Sequence, residues 1–362
     1  MIYRGPNTAH GRGTASAAVP AWLSGKSVHE WFEISGTTHA GSPADPTDVP
    51  DAFCRSAKRL SYSNICIADT ELVLAASGGH GDYSGNEVTG MQLSVDAPAW
   101  ALRKARTASV TADAAYNADG TPTSRHLYHS AIYSTTRSRL MLHRTRFVYS
   151  SAASFNASNG FNLATNAWDA EATWADGYTP GCKDASDNVW ALTNSSGQQL
   201  YKWTAATDTW AQTFTSGVAG PGYPMAHDSA RSQLFALSWG NGEGGGSGVS
   251  AAIYTSGGTA RSTISFNASA ALTQFEADTP SNASMVYDQD GDRFLFWDGV
   301  TGRLFQITPN GTTTWDVSIV TTTGTTPPAT EYSFGRLGYI PSLKTIVTMP
   351  SGATNLRAMR LA

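Results

Sequence analysis

An all-β chain of small antiparallel sheets is predicted by three observations. Short apolar runs recur along the 362 residues, turn dipeptides separate them, and the pattern repeats with internal offsets near 105 positions. The stretch "SMVYDQDGDRFLFWDGVTGRLFQITPNGTTTW", Ser284 to Trp315, carries the first two. Its runs Met285–Tyr287, Phe294–Trp297, Leu304–Ile307 and Trp315–Ile319 are parted by Asp290-Gly291, Thr301-Gly302 and Asn310-Gly311. Asp-Gly and Asn-Gly predict two-residue hairpin turns, because a type I′ turn needs φ > 0 at both central residues. Phe294-Leu295-Phe296-Trp297 does not alternate, so both faces of that strand need cover. A lone meander cannot supply cover on both sides; copies of it can.

The copies are present. "GCKDASDNVWALTNSSGQQLYKWTAATDTW" ends at Trp210, 105 positions before Trp315, and Gly197 and Gly302 share that offset. Asp184 matches Asp288 and Leu200 matches Leu304 at 104. Such self-similarity marks a repeat architecture in which each unit buries its faces against its neighbours. Six units can be drawn. The first runs from Leu60 to Trp100, the second from His126 to Trp168, and the third ends at Trp210. In the fourth, Ile264 stands where the tryptophan belongs; the fifth is the stretch quoted above. The sixth, Leu337–Ile340, Thr345–Met349 and Leu356–Arg360, stops one strand short.

"HEWFEIS", residues 29–35, offers the missing strand, with Trp31 in the closing place. An N-terminal strand in the last sheet closes a ring and removes two open edges. The predicted fold is therefore all-β: a six-bladed β-propeller over residues 29–362, with 29–35 completing the last blade. Residues 1–28 form an N-terminal arm, too poor in apolar residues for a core of its own and expected to be disordered alone. Tyr3, Arg4 and Trp22 are its candidate anchors on a partner.

First-strand Tyr287-Asp288, the Gly78-Gly79 pair and the fourth-strand tryptophans together resemble the kelch and galactose-oxidase-like propellers, over about residues 29–362. The resemblance implies a kelch-like ring. It implies no single activity, since propellers host enzymes, binding modules and scaffolds alike.

Composition narrows the partners. Charged residues are 14%, against about 25% in ordinary domains. The formal net charge is −4 and there is no basic stripe, so nucleic acid is not an expected partner. No segment reaches the roughly 18 apolar residues of a membrane span. Cys54, Cys66 and Cys182 fit neither a disulfide framework nor a zinc site and read as buried or free thiols. The first twenty residues lack the apolar core of a secretory signal.

The expected elaboration is one-sided. Turns between strands one and two are tight, whereas the second-to-third connections at 77–86, 150–160 and 240–248 are long. In a propeller these long connections share a face with the blade-to-blade links, and loops on a rigid scaffold are where function concentrates. Candidate binding residues there are Tyr62, His80, Asp82, Tyr83, Arg125, His126, Tyr178, Tyr223, Tyr332 and Arg336. Aromatic rings around a polar mouth suit stacking on sugars.

Catalytic constellations are thinner. A copper site of His and Tyr ligands with a Cys beside one Tyr has no matching arrangement. A sialidase needs repeated Asp-box turns, and "DQDGDRFLFW" is a single partial one. His80 and Asp82 in "GGHGDY" are two potential metal ligands on a glycine-rich loop, a pattern that reads as turn chemistry, so neither metal nor cofactor is expected. A polysaccharide lyase needs a base and an acid, such as His126 or His227 with Tyr62, Tyr128 or Tyr223, and an arginine, Arg125 or Arg336, to neutralise a uronate.

The reading that follows is a non-catalytic structural or binding module of a larger assembly. The sparse charge and Ser/Thr/Gly/Ala richness are similar to bacteriophage virion proteins of the tail-tip, fibre or capsid-attached kind. Other protein subunits, and a cell-surface glycan or receptor, are the expected partners, and the virion the expected location. A carbohydrate-active, lyase-like enzyme is the alternative.

Overall fold

The computed structural model describes residues 19–42, 60, 63–75, 83–108, 110–111, 114–142, 157–169, 172–173, 181–193, 199–215, 223–239, 249–255, 257–278, 284–330 and 333–362. Strand β1 (Glu30–Ile34) comes first. A meander follows of β2 (Cys66–Ala68), β3 (Glu71–Ala75), β4 (Val88–Gln92) and β5 (Trp100–Lys104). The second has β6 (Ala131–Ser134), β7 (Arg139–Leu142) and β8 (Ala157–Asn162), edged by β9 (Ala167–Trp168) and β10 (Ala172–Thr173). The third is β11 (Gly181–Lys183), β12 (Val189–Leu192), β13 (Gln199–Thr204) and β14 (Thr209–Thr215).

The fourth is β15 (Tyr223–Asp228), β16 (Gln233–Trp239), β17 (Val249–Thr255) and β18 (Arg261–Phe266). Helix α1 (Ala270–Asp278) leads from it to the fifth, β19 (Ser284–Asp288), β20 (Arg293–Trp297), β21 (Leu304–Thr308) and β22 (Thr314–Ile319). After the short β23 (Thr323–Gly324) come β24 (Leu337–Ile340), β25 (Thr345–Thr348) and β26 (Leu356–Arg360). Strand β1 pairs antiparallel with β26, Phe32 opposite Ala358 and Ile34 opposite Leu356. The chain's two ends thus share one sheet.

The β20 sequence Arg-Phe-Leu-Phe-Trp shows how that sheet order is stabilised. Alternate side chains of a strand point to opposite faces. Phe294 and Phe296 pack with Phe235, Leu237 and Ile264 of the fourth meander. Leu295 and Trp297 pack the other way, with Leu337, Ile346, Met359 and Trp31 of the last sheet. Strand β3 repeats the arrangement. Leu72 and Leu74 face Phe32, Val347 and Leu356, while Val73 and Ala75 face Leu127, Leu140 and Phe161. Smaller clusters join second to third and third to fourth meanders. All four β20 apolar residues are fully buried, and each such side chain stabilises by roughly 1.5–3 kcal/mol.

Every meander is therefore covered on both faces by its neighbours, with the last packed on the first. The first strands touch in the same cyclic order, β2 to β6, β11, β15, β19, β24 and back to β2. The molecule is all-β, mostly antiparallel and β-propeller-like.

Several expectations are corrected. The hairpins are not two-residue type I′ turns at Asp-Gly. Asp288 is opposite Arg293, which leaves a four-residue loop whose last residue, Asp292, has φ 48°. The same left-handed last position recurs at Ser138, Asn166, Asp208, Ser232 and Lys344, so the turn is set by a four-residue loop rather than by glycine. Of the expected arm, residues 1–18 lie outside the described residues; in the rest Leu23 is buried, Trp22 packs beside it, and Ala21 N–H donates to Asp96 Oδ1 at 2.7 Å, so this part lies on the first and last sheets. The closing tryptophans also divide: Trp31, Trp100 and Trp315 are buried, whereas Trp168 and Trp210 are half-buried. Finally, the link 267–280 holds a helix whose Phe275 packs edge-on to Phe296 and Phe305, 5.0 and 5.1 Å between ring centres.

Candidate functional site: the central channel

The six first strands surround a channel. Backbone bonds tie them across meander boundaries: Ile65 N–H donates to Gly335 O at 3.1 Å, and Gly181 N–H to His129 O at 3.3 Å. Asn64 extends the series through its side chain. Its amide donates to Ala131 O at 3.0 Å and its carbonyl accepts from Ala131 N–H at 3.3 Å. Glycine is required at 335, where φ is +54° and a Cβ would strike Asn64. At Gly338 a Cβ would come within 2.5 Å of Ile67.

Inside lies a cavity of about 200 Å³. Its walls are mixed: the apolar side chains of Ile65, Ile67, Ile132, Leu337, Met225 and Met285 and the rings of Tyr133 and Tyr339 share the surface with polar groups in nearly equal measure. Polar groups sit at its two ends, Asn64 and His129 toward the strand starts and Lys183 toward the turns. Lys183 Nζ is 3.1 Å from Asp187 and 3.1 Å from Thr135 Oγ1, and lies over the Tyr133 ring. Burial and then Asp69 raise the Tyr133 phenol, and burial and then Asp288 raise Tyr339, so both stay neutral. Burial pushes the Cys66 thiol up to about 12 and raises Cys182 as well. Neither thiol is a nucleophile at neutral pH.

The turn end of the channel carries carboxylates that staple adjacent meanders. Asp187 accepts from Ser134 Oγ at 2.6 Å and from the N–H groups of Thr135 and Thr136 at 3.0 and 2.7 Å. Burial alone would raise Asp187, yet these donors bring it below the usual carboxylate range. Arg231 reaches Asp292 through two bonds of 2.7 Å while also contacting Asp228. The Arg231 and Tyr287 hydrogen bonds lower Asp292 to about 2.

The residues expected on a contact face are placed differently. Tyr62, His80, Asp82, Tyr178 and Tyr332, like Tyr3 and Arg4, lie outside the described residues, and of Tyr223 only the backbone is described. Tyr83, Arg125, His126 and Arg336 are buried rather than displayed. The Tyr83 hydroxyl donates to Glu87, and its carbonyl accepts from Ser124 Oγ. Arg125 donates to Thr123 O, Ala115 O and Asn159 Oδ1 at 3.1, 3.0 and 3.0 Å.

His126 Nδ1 lies 3.4 Å from the Tyr128 hydroxyl. The Tyr128 ring packs edge-on to Phe334, and His129 meets the same ring. Arg336 donates to Leu60 O and Pro350 O, both at 2.6 Å, and to Thr330 Oγ1 at 3.0 Å. Burial alone lowers its guanidinium to about 9, which keeps it cationic at neutral pH. Trp22 is an internal anchor, its indole N–H donating to Leu93 O and Val95 O at 3.1 Å.

Asn64, His129, Lys183 and Tyr339 are not among the residues expected from the sequence. Lys183 and Tyr339 are polar-tipped residues on first strands, β11 and β24, while Asn64 and His129 sit two residues before theirs, a position at which the aligned units could have been compared.

No protein-family model matches the chain. No curated protein matches it either. Its likeness is to solved structures, of which 446 chains match. A structural-genomics protein of unknown function from Bacteroides thetaiotaomicron VPI-5482 is similar over 91% of this chain and 74% of its own, with 12% identity and a TM-score of 0.50. A nidogen/laminin complex is similar over 54% of this chain and 67% of that one, with 10% identity and a TM-score of 0.36. At such identities the first of these is a likeness of fold alone. Among the described residues no helix is long and apolar enough to cross a membrane.

Proposed function

We propose that the chain is a six-bladed, kelch-like propeller serving as a non-catalytic structural and binding module of a larger assembly. The observation that carries this reading is the commitment of the channel-mouth side chains. A lyase would need a guanidinium facing a uronate. Arg125 and Arg336 instead spend their donors on main-chain carbonyls that hold neighbouring segments together. Replacing such contacts with substrate contacts would strand the carbonyls of Thr123 and Pro350, at roughly 1–3 kcal/mol each.

Sparse charge, at 14% of residues, makes a bacteriophage virion the assembly proposed, with tail-tip, fibre or capsid-attached positions all compatible. Partners are neighbouring subunits, and a cell-surface glycan or receptor on the loop-bearing face. The test is peptide mapping of density-purified particles from the native source. Retention of the chain through a high-salt wash supports the reading. Absence from particles, together with depolymerisation of an acidic polysaccharide that His126→Ala abolishes, replaces it with the lyase.

A further inference from the structure

We propose that the central cavity is a binding site for a small, uncharged aromatic molecule, about one substituted ring in size. This goes beyond the assembly role and does not depend on it. Three features of the channel lead there. The first is size: about 200 Å³, slightly more than the roughly 150 Å³ apolar cavity that takes up benzene. The second is surface. The side chains between the two ends are Ile65, Ile132, Leu337, Met225 and Met285; methionine adapts its shape and makes favourable sulfur contacts with aromatic rings.

The third feature is how the polar groups of the wall are disposed. Asn64 bonds the Ala131 backbone in both directions. Lys183 is held by Asp187 and Thr135. The buried Tyr339 hydroxyl has no hydrogen-bond partner among the described residues and is left for an N–H or O–H carried by the ring. Charge on the ligand is disfavoured. A carboxylate would compete with Asp187 for Lys183, and an ammonium would lie among isoleucine and methionine with no counter-ion. Lys183 and Tyr339 are only half-buried, so the turn end gives the ligand its way in.

Indole is the probe, with benzoate as the charged comparator, using the intact chain. Calorimetric titration and thermal unfolding with indole should show saturable one-site binding and a melting temperature that rises with indole concentration. Benzoate should bind at least ten-fold more weakly. Ala131→Leu, which pushes a side chain into the cavity, should weaken indole at least ten-fold, and Met285→Trp, which supplies the ring itself, should do the same. Circular dichroism of each variant identifies the folded one to be read. Absence of saturable indole binding to the intact chain overturns the proposal. So does indole affinity unchanged in a folded cavity-filling variant, or benzoate binding as well as indole. None of these results alters whether the chain is retained in particles, so the two readings fail separately.

Discussion

The two ends of the channel are held together by different chemistry. At the turn end, adjacent meanders are joined by charged side chains that meet water: Arg231 with Asp292, Lys183 with Thr135, and Lys344 with Asp290 at 3.7 Å. At the opposite end the joints are buried. Asn64 holds Ala131, Ser284 Oγ accepts from Arg336 N–H at 2.7 Å, and the Arg336 side chain binds Leu60 O and Pro350 O. Exposed pairs are screened and individually weak. Buried joints are indifferent to salt but intolerant of losing one partner. The ring should therefore yield to salt and acid from one end and to truncation from the other.

The largest expected effect is at the buried end. Arg336→Met keeps volume but leaves Pro350 O without its donor and breaks the charge-assisted bond to Leu60 O, which keeps only the Ser63 N–H; it should destabilise by about 3 kcal/mol, read as a lower denaturant midpoint. An unchanged midpoint would show that the seam between first and last sheets does not depend on this guanidinium. Asn64→Ala comes next, at about 2 kcal/mol, because both arms of its amide are used. Neither loss should change between low and high salt.

Acid should act on the turn end. Asp292 is depressed from an ordinary 3.8 to about 2. The stability it contributes is full above about pH 4 and lost as pH falls through about 2. Asp187 is shifted in the same direction. Asp292→Asn should remove part of this acid sensitivity, seen as a flatter stability profile between pH 4 and 2. The smallest effect is Lys344→Met at neutral pH. Lys344 and Asp290 are 53% and 41% exposed, so after screening about 0.5 kcal/mol is expected, shrinking further in 1 M salt. A salt-insensitive loss as large as that of Asn64→Ala would erase the distinction between the two ends.

The same contrast governs what could be read from the sequence. The fifth meander was legible because Phe294 to Trp297 is apolar at every position and the Trp210 and Trp315 units align. That pattern follows from burial on both faces, and the β1–β26 pairing follows from a sixth unit lacking a strand. The second meander was harder: its fourth strand is only Ala167–Trp168, with Ala172–Thr173 beyond. Asp290-Gly291 carries the signature of a two-residue turn, but the left-handed position falls one residue later, on Asp292, and the type of loop is set by its four-residue length.

Site residues were the least legible. Arg125, His126 and Arg336 are polar residues beside a predicted channel, and nothing in their spacing distinguishes a displayed side chain from one spent on main-chain carbonyls. Long-range partners decide that. Leu60, which Arg336 binds, is 276 positions away. Ion pairs also hid inside strands. Glu71 pairs with Arg103 across Gly90, and Arg139 pairs with Asp169 across Gly160, with the charges exchanged between the two sheets. A search for identical residues at each repeat passes over such a swap.

The account rests on a ring closed by the two chain ends, and amide hydrogen exchange tests that closure most directly. If β1 is zipped to β26, the backbone amides of Glu30–Ile34 and Leu356–Arg360 should be protected together and released with the same opening free energy. Fast exchange across Glu30–Ile34 while Leu356–Arg360 stays protected would mean an open ring, and would contradict the fold from which every other conclusion is drawn.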